Sequence, residues 1–456
     1  MGNRFTVVTF GCWLNKADSD IMITKLKSLG WEYVEDLGSA DTIIVNTCAV
    51  REEAERNELK LLKRLSEEYP GKRLIVTGCL TKVRPATIKD VAPNAVLVSS
   101  HGAELIDEVV NGNADVHVYE DRPAKYLPNY YPELHGHRYV VPIQVGCLGN
   151  CSFCVTKIGR MGFGRVKSYD IDDIVNAIAN AVSKGAREIY LTGGQEISAY
   201  GRDRGGYDLA DLLEKILSKV DGRFMIRLGM MEPLELSRII DKLLDIVRSD
   251  WRVYRFFHVP VQSGSDRVLM LMRRKYSVDL FRDIVMRIRR VFPDATIATD
   301  IIVGFPGGET DEDFWASVKL IEELGIDKVN LARYSRRPFT EAAYMEQVPE
   351  QVKKERSKIA TDVFNKVALE RNRMFIGREM WGGIVSEVDF KGENYVIRSY
   401  NYKPIAVRRA DIGAFVKVRV TDATSQRLFG QLLETESLGV RYRVDFRITE
   451  GLDLIS

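Results

Sequence analysis

The chain has 456 residues, enough for about three domains of ordinary size. Its 45% hydrophobic and 29% charged residues exclude a disordered or fibrous protein. With 66 Lys plus Arg against 64 Asp plus Glu, the net charge of +2 excludes a polycation, so any basic surface must be local. No apolar run approaches a membrane span and no signal-like apolar region opens the chain, so a cytoplasmic protein without a membrane partner is expected. Met1-Gly2-Asn3-Arg4-Phe5-Thr6 fits a loose acylation pattern, but Phe5–Phe10 already reads as a first core strand.

Lys16–Leu29 then reads as a helix, Thr42–Asn46 as a strand and Val50–Tyr69 as a helix. Leu74–Thr77 is a third strand and Ala95–Val98 a short fourth. Alternation with short connections predicts a flavodoxin-like parallel sheet over 1–120. Residues 121–137, with Pro123, Pro128 and Pro132 among Tyr126, Tyr130 and Tyr131, read as a linker.

A second alternation starts at Tyr139. Strands at Tyr139–Val145, Glu188–Thr192, Arg223–Leu228, Phe256–Val261, Thr296–Val303 and Lys328–Tyr334 are expected. Helices at Ile171–Lys184, Leu209–Lys219, Leu234–Arg248, Asp279–Val291 and Asp311–Leu324 fit between and after them. Six units are too few for a closed eight-fold barrel, so 138–372 is expected to form an open, partial (β/α)6 barrel. The charged helix Val352–Asn372 leads out of it. Over 373–436 short strands with Gly and Asn turns predict a small OB-like β-barrel: Trp381–Glu387, Asn394–Ser399, Ala414–Val420 and Leu428–Glu434. Residues 437–456 are an extension. The expected fold class is thus multidomain α/β with a terminal β-barrel.

Six cysteines carry the chemical signal, because a chain this large needs no disulfide staples. Cys147, Cys151 and Cys154 form C-x3-C-x2-C at the end of the first barrel strand. No fourth Cys or His follows closely, whereas a structural zinc site wants four ligands. Three thiolates suit a [4Fe–4S] cluster with one open iron. Cys12, Cys48 and Cys79 each follow a predicted strand, and ligands of open parallel sheets gather beyond the carboxyl ends of strands. The bland reading is three buried structural thiols. The sharper one is a second three-thiolate [4Fe–4S] cluster. His135 and His137, in the linker, are the one close pair of histidines.

Glycines and polar residues recur at barrel strand ends. They are Gly193-Gly194-Gln195-Glu196 after the second strand, Gln262-Ser263-Gly264-Ser265 after the fourth, and Asp300 with Gly304-Phe305-Pro306-Gly307 at the fifth. Such glycines admit close backbone approach to a ligand, and Glu196 can accept from an ammonium group. The candidate cofactor contacts are Phe153, Gly193, Gly194, Gln195, Glu196, Gln262, Ser263, Asp300 and Gly304. There is no Gly-Lys-Ser/Thr phosphate loop, which argues against a nucleotide hydrolase. From Lys403 to Arg443 eight basic residues stand against four acidic. Lys417, Arg419, Arg408 and Arg409, with Tyr400, Tyr402 and Phe415 nearby, suit RNA binding. A solvated edge guarded by Lys and Arg is the plainer alternative.

The run Cys147-Leu-Gly-Asn-Cys151-Ser-Phe-Cys154 resembles the signature of the radical S-adenosylmethionine enzymes. That resemblance implies that S-adenosylmethionine binds the open iron and is cleaved by one electron to methionine and a 5′-deoxyadenosyl radical. The whole arrangement resembles the methylthiotransferases of that superfamily, which carry an auxiliary cluster and a terminal TRAM domain. Ala199-Tyr200-Gly201-Arg202-Asp203, Arg227-Leu228-Gly229-Met230, His258-Val-Pro-Val-Gln262-Ser-Gly-Ser265 and Met345-Glu-Gln-Val-Pro349 with Val352-Lys-Lys-Glu-Arg356 look like the archaeal and eukaryotic branch. That branch acts on N6-threonylcarbamoyladenosine in tRNA, giving the 2-methylthio derivative at position 37. Gln195-Glu196 and the extra glycine of Gly307-Gly308-Glu309 depart from the family pattern. The implied partners are a tRNA anticodon stem-loop, an electron donor such as a ferredoxin or flavodoxin, and a sulfur donor. No side-chain acid or base is expected at the reacting carbon, because adenine C2–H is too weakly acidic for one. The rival readings are a methylthiotransferase acting on isopentenyladenosine or a ribosomal-protein aspartate, and a non-catalytic RNA-binding iron–sulfur redox sensor.

Overall fold

A computed structural model describes residues 3–50, 52–117, 129–131, 135–160, 164–193, 196–389, 392 and 394–436. Most of the expected linker and the extension 437–456, with Arg441 and Arg443, lie outside these residues. So do Gly194 and Gln195.

In the first unit, β1 (Arg4–Thr9), β2 (Glu32–Tyr33), β3 (Thr42–Thr47), β4 (Arg73–Gly78), β5 (Val96–Val98) and β6 (Val116–His117) form one sheet in the order β2-β1-β3-β4-β5-β6. All pairings are parallel, as the alternation predicted. The two edge strands were not anticipated, because two residues are too short for any periodic signal. Helices α1 (Trp13–Ser28) and α2 (Glu52–Glu68) cover opposite faces. Ile44 and Ile75 pack with Ile21 and Leu26 of α1, while the alternate residues Ile43 and Val45 pack with Leu61 and Leu65 of α2. That two-sided burial explains why β3 is buried throughout and apolar at its centre, Ile43 to Val45.

In the second unit, β7 (Arg138–Pro142) is followed by β8 (Gln144–Cys147), which pairs antiparallel with β9 (Arg165–Ser168). The single strand expected at Tyr139–Val145 is thus two, because after Pro142 the chain leaves its parallel neighbour. β10 (Glu188–Thr192), β11 (Met225–Arg227), β12 (Phe256–His258), β13 (Thr296–Val303) and β14 (Lys328–Arg333) complete two parallel sheets, β11-β10-β7 and β12-β13-β14. A parallel bridge between Met230 and His258 joins them. Among the described residues β7 and β14 do not pair, so the six strands form an open arc. Helices α3 (Ile171–Ser183), α4 (Leu209–Lys219), α5 (Ile240–Ser249), α6 (Val278–Val291), α7 (Asp311–Leu324) and α8 (Glu350–Arg373) start at polar caps in most cases. Asp208 with Asp211 and Thr310 with Asp313 each form a reciprocal capping box. The expected helix Leu234–Arg248 is broken at Ile239, whose φ is −123°.

The third unit is a closed barrel of β15 (Glu379–Val388), β16 (Tyr395–Arg398), β17 (Pro404–Val407), β18 (Phe415–Ala423) and β19 (Leu428–Thr435), in the order β15-β16-β17-β19-β18. It docks against the amino ends of the arc strands. Tyr402, at φ +63°, inserts there, 5.0 Å from the ring of Tyr254 and 4.8 Å from that of Phe256. Its hydroxyl lies 2.6 Å from that of Tyr190. Tyr400 donates to Asp294 at 2.5 Å, and Phe415 is buried. These three rings are packed against the central unit, which corrects their reading as an RNA-facing group.

Asp327, fully buried at the start of β14, locks this docking. It takes Arg289 from α6 at 2.6 Å, Arg371 from α8 at 3.2 Å and Lys403 from the small barrel at 2.9 Å. Burial works to raise its carboxyl, but the Lys403, Arg289 and Arg371 charges hold it well below the ordinary range. Among the described residues, no helix is long and apolar enough to cross a membrane. Asp327→Ala leaves the buried Lys403 and the half-buried Arg289 and Arg371 without their carboxylate and should cost about 3–5 kcal/mol, read by urea unfolding. Because the folded carboxyl is depressed, its contribution is complete above about pH 4 and lost as pH falls further. The variant should therefore lose less stability than the parent between pH 5 and pH 2.

Candidate functional site

β1, β3 and β4 are neighbours, so the residues that follow them meet at one sheet end. Cys12 caps α1 and is exposed, while Cys48 and Cys79 are buried. Gly11, at φ +91°, makes the approach possible: a Cβ there would stand 2.8 Å from Cys48 Cβ and 3.1 Å from its Sγ. The Cys48 amide donates to both oxygens of the buried Glu58, 3.1 Å each. Burial raises the Cys48 thiol, and the neighbouring Cys79 and Cys12 raise it further. The three thiols thus share one locality, as the strand-end reading required.

Cys147 ends β8, and Cys151 and Cys154 follow in the loop. A Cβ on Gly149 would lie 3.3 Å from Cys147 Sγ and 3.6 Å from Cys151 Sγ. Burial lifts the Cys147 thiol to about 12, and the nearby Glu196 charge adds to this. Arg274 is half-buried with its guanidinium 5.7 Å from both the Phe153 and Tyr276 rings, and it draws the Cys151 thiol down against burial. Its Nε has no hydrogen-bond partner. Among the described residues no three Cys, His, Asp or Glu side chains converge on a single ion. A four-iron cube takes each thiolate on a different iron, so both triplets suit a cluster better than a mononuclear metal.

The segment after Cys154 joins the two places. Val155 and Ile158 pack in the core of the first unit. A Cβ on Gly159 would lie 2.9 Å from Cys79 Cβ. Arg160 enters fully, donating to Asn15 at 2.6 Å and Asp18 at 2.7 Å, both on α1. Asn15 in turn donates to Phe10 and Thr47, next to Cys12 and Cys48. Burial raises the Cys79 thiol to about 11, while the Arg160 charge pulls it down.

The expected cofactor contacts divide. Phe153 packs edge-on to Phe305 at 6.0 Å. Gly193 lies where a Cβ would collide with the Glu196 carbonyl. Glu196 is buried and accepts from Ser198 at 2.7 Å, Ala199 at 3.0 Å and Gln144 at 3.2 Å. Burial raises its carboxyl to about 7. Gln262 holds φ +71°, with its backbone bridging to β13. A non-glycine residue there is strained, a feature that clusters at functional sites. The Ser263 hydroxyl is 3.4 Å from Ser317 and accepts from the Ser265 amide. Asp300 lies within β13 rather than at its end, accepting from His258 at 3.1 Å and Asn330 at 2.7 Å. Gly304 is held by packing: a Cβ would collide with Lys353, and its amide donates to Glu309 at 2.7 Å.

On the small barrel, Lys417 and Arg419 both clasp Glu379, at 2.9 and 2.6 Å, whereas Arg408 and Arg409 are exposed. His135 and His137 do not act together: one is 3.4 Å from Asp20, the other 3.0 Å from Glu188. Sequence reasoning missed Asn15, Asp18, Glu58, Arg160 and Arg274. Only Arg160 had a signal, its place six residues after Cys154.

Residues 4–100 match the family model described as Uncharacterized protein family UPF0004, and residues 141–321 match the Radical SAM superfamily. A "Probable threonylcarbamoyladenosine tRNA methylthiotransferase" of Archaeoglobus fulgidus is 36% identical over 440 residues, 94% of this chain and 98% of that one. The human threonylcarbamoyladenosine tRNA methylthiotransferase is 33% identical over 94% of this chain and 74% of its own. A tRNA-2-methylthio-N(6)-dimethylallyladenosine synthase of Dictyoglomus thermophilum is 33% identical over 95% of this chain and 100% of its own. Among solved structures, a radical S-adenosylmethionine methyltransferase of Kitasatospora setae with cobalamin and a [4Fe–4S] cluster bound aligns at TM-score 0.55 and 15% identity. That alignment covers 75% of this chain and 77% of the other, and it speaks for the fold alone. With a third or more of its residues shared across nearly its whole length, this chain belongs to the radical S-adenosylmethionine tRNA methylthiotransferases.

Proposed function

We infer that the chain methylthiolates tRNA, converting N6-threonylcarbamoyladenosine at position 37 to its 2-methylthio derivative with S-adenosylmethionine. The observation that carries this reading is the insertion of Val155–Arg160 beside Cys79. Cys154 and Gly159 are five residues apart, no more than about 18 Å even if extended, and Thr156–Gly159 is a helical turn. The loop that carries the second thiol triplet is therefore held beside the first triplet, where the first and second units meet.

Cys147, Cys151 and Cys154 would hold one [4Fe–4S] cluster and Cys12, Cys48 and Cys79 a second, each with an iron left for chemistry. When bound, the clusters and S-adenosylmethionine supply the radical that removes the adenine C2 hydrogen and the methylated sulfur that replaces it. The chain's own part is placement. Arg160 fixes the relative position of the two loops and sets positive charge beside Cys79. Glu196 ties Gln144 of β8 to the turn after β10, which shapes the floor beneath Cys147. Phe153, Phe305 and Tyr334 form an aromatic wall that excludes water.

The choice of N6-threonylcarbamoyladenosine is supported by the archaeal relatives at 35–36% identity. The exposed Arg408 and Arg409 offer an RNA-facing surface on the terminal TRAM-like barrel. Reduction and resupply of sulfur call for an electron donor such as a ferredoxin or flavodoxin and for a sulfur donor, in the cytoplasm where tRNA is matured.

Replacing any one of Cys147, Cys151 or Cys154 by Ala should abolish S-adenosylmethionine cleavage and lower anaerobic iron from about eight to about four per chain. Continued formation of 5′-deoxyadenosine would remove the cofactor assignment. Cys48→Ala should still cleave S-adenosylmethionine but give no methylthio product; full product would make the first triplet structural. In a strain lacking the chain, mass analysis of tRNA nucleosides should show loss of the 2-methylthio derivative of N6-threonylcarbamoyladenosine. Loss of the dimethylallyl derivative instead would reassign the substrate.

A further inference from the structure

Three large apolar side chains stand further into solvent than any others among the described residues: Met270 at 70%, Phe339 at 65% and Tyr344 at 80% exposure. They lie on two segments far apart in sequence, both of which bond to one residue of the cysteine loop. Ser152 donates its amide to Met272 at 3.1 Å and its hydroxyl to Leu271 at 2.7 Å, beside Met270. The Ser152 carbonyl accepts from Ala342 at 3.0 Å, between Phe339 and Tyr344. Both segments that carry the exposed apolar side chains are thus fastened to the cysteine loop between Cys151 and Cys154.

Phe339 and Tyr344 ride on an arm, residues 334–347, that runs from β14 to α8. The arm is braced at many points. Tyr334 packs edge-on to Phe305 at 5.5 Å. Arg337 crosses to the first unit and donates to Glu55 at 2.5 Å, one turn before the Glu58 that holds Cys48. Arg336 closes the arm on itself through the Ala343 carbonyl at 2.7 and 2.9 Å. One short stretch is thereby tied to the surroundings of both thiol triplets. At its apex Phe339 holds φ +62°, a conformation that bulky residues rarely adopt. A rigid scaffold, a strained backbone and an exposed ring together need an explanation outside the fold.

We propose that Phe339 and Tyr344 are stacking residues for the unpaired bases that flank the target nucleotide of an RNA loop, with Met270 completing the rim. The proposal rests on the function inferred above and adds how the substrate is held. A base whose ring edge must reach the cysteine loop has to leave its stack. Its neighbours then expose their faces, and aromatic rings are the sequence-tolerant way to cover them. Arg273 pairs with Glu341 of the arm at 2.6 Å and ties the two segments together, while the exposed Arg336, bonded to a neutral carbonyl, supplies positive charge for a backbone phosphate.

The test uses the full-length holoenzyme and a synthetic anticodon stem-loop with 2-aminopurine next to the target adenosine. Binding should quench its fluorescence. Phe339→Ala should weaken binding about tenfold, equivalent to about 1.4 kcal/mol, and abolish most of the quench; Phe339→Trp should restore both. Phe339→Gly should raise the thermal midpoint by relieving the positive φ while still losing affinity. A ring kept for the fold would instead lower the midpoint on removal, and that result overturns the proposal. So does unchanged affinity and quenching in Phe339→Ala with Tyr344→Ala, or a defect confined to reduction by an electron-donor protein, which would make the rim a protein-docking surface. If the wild-type holoenzyme binds no anticodon stem-loop at all, the tRNA reading itself fails.

Discussion

A single guanidinium from the loop after Cys154 fixes how the two cysteine-bearing units meet. Arg160 is buried inside the neighbouring sheet domain, where it must be matched by Asp18 and Asn15 to offset the loss of water around its charge. Asn15 is committed in the same way, to the carbonyls that precede Cys12 and Cys48. Strand ends, helix cap and loop are therefore one hydrogen-bonded object. Any shift of the arc relative to the sheet would strand a charge, which makes a floating interface between them energetically costly.

The small barrel is fastened with comparable force but different means. Asp327 gathers cations from three elements, and Glu188 receives His137, Arg138, Tyr254 and Ser386 within 3.2 Å. Both carboxylates sit at the amino ends of strands, where conservation of shape rather than chemistry is at stake in barrel folds. The loop that carries Cys147, Cys151 and Cys154 lies at the opposite end. The docking contacts and the cysteine loop are thus divided between the two ends of the same strands.

Much of this was legible because the signals were strong locally. Glu188–Thr192, Thr296–Val303, Leu209–Lys219 and Asp311–Leu324 have the bounds that apolar periodicity and the caps Asp208 and Thr310 mark. The strand-end position of Cys12, Cys48 and Cys79 followed from the same alternation. What escaped depends on distant partners. β17 is four residues beginning with Pro404, too short to announce itself, and exists because β16 and β19 flank it. Gly304 looked like a cradle for a ligand, but Lys353, 49 positions later, occupies the space. Tyr402 looked like a surface aromatic because nothing nearby in sequence reveals the open arc it enters. Arg160 escaped because its partners, Asn15 and Asp18, lie more than 140 positions earlier.

Tyr402 has one more consequence. An arc of six strands without a closing pair would be a tube open at both ends. With that ring wedged among Tyr190, Tyr254 and Phe256, and Arg227 stacked over the group at 5.1 to 5.5 Å, the lower end is corked. The cysteine loop after β8 lies beyond the other ends of these strands, so whatever enters the arc from below meets the cork before it meets a thiol.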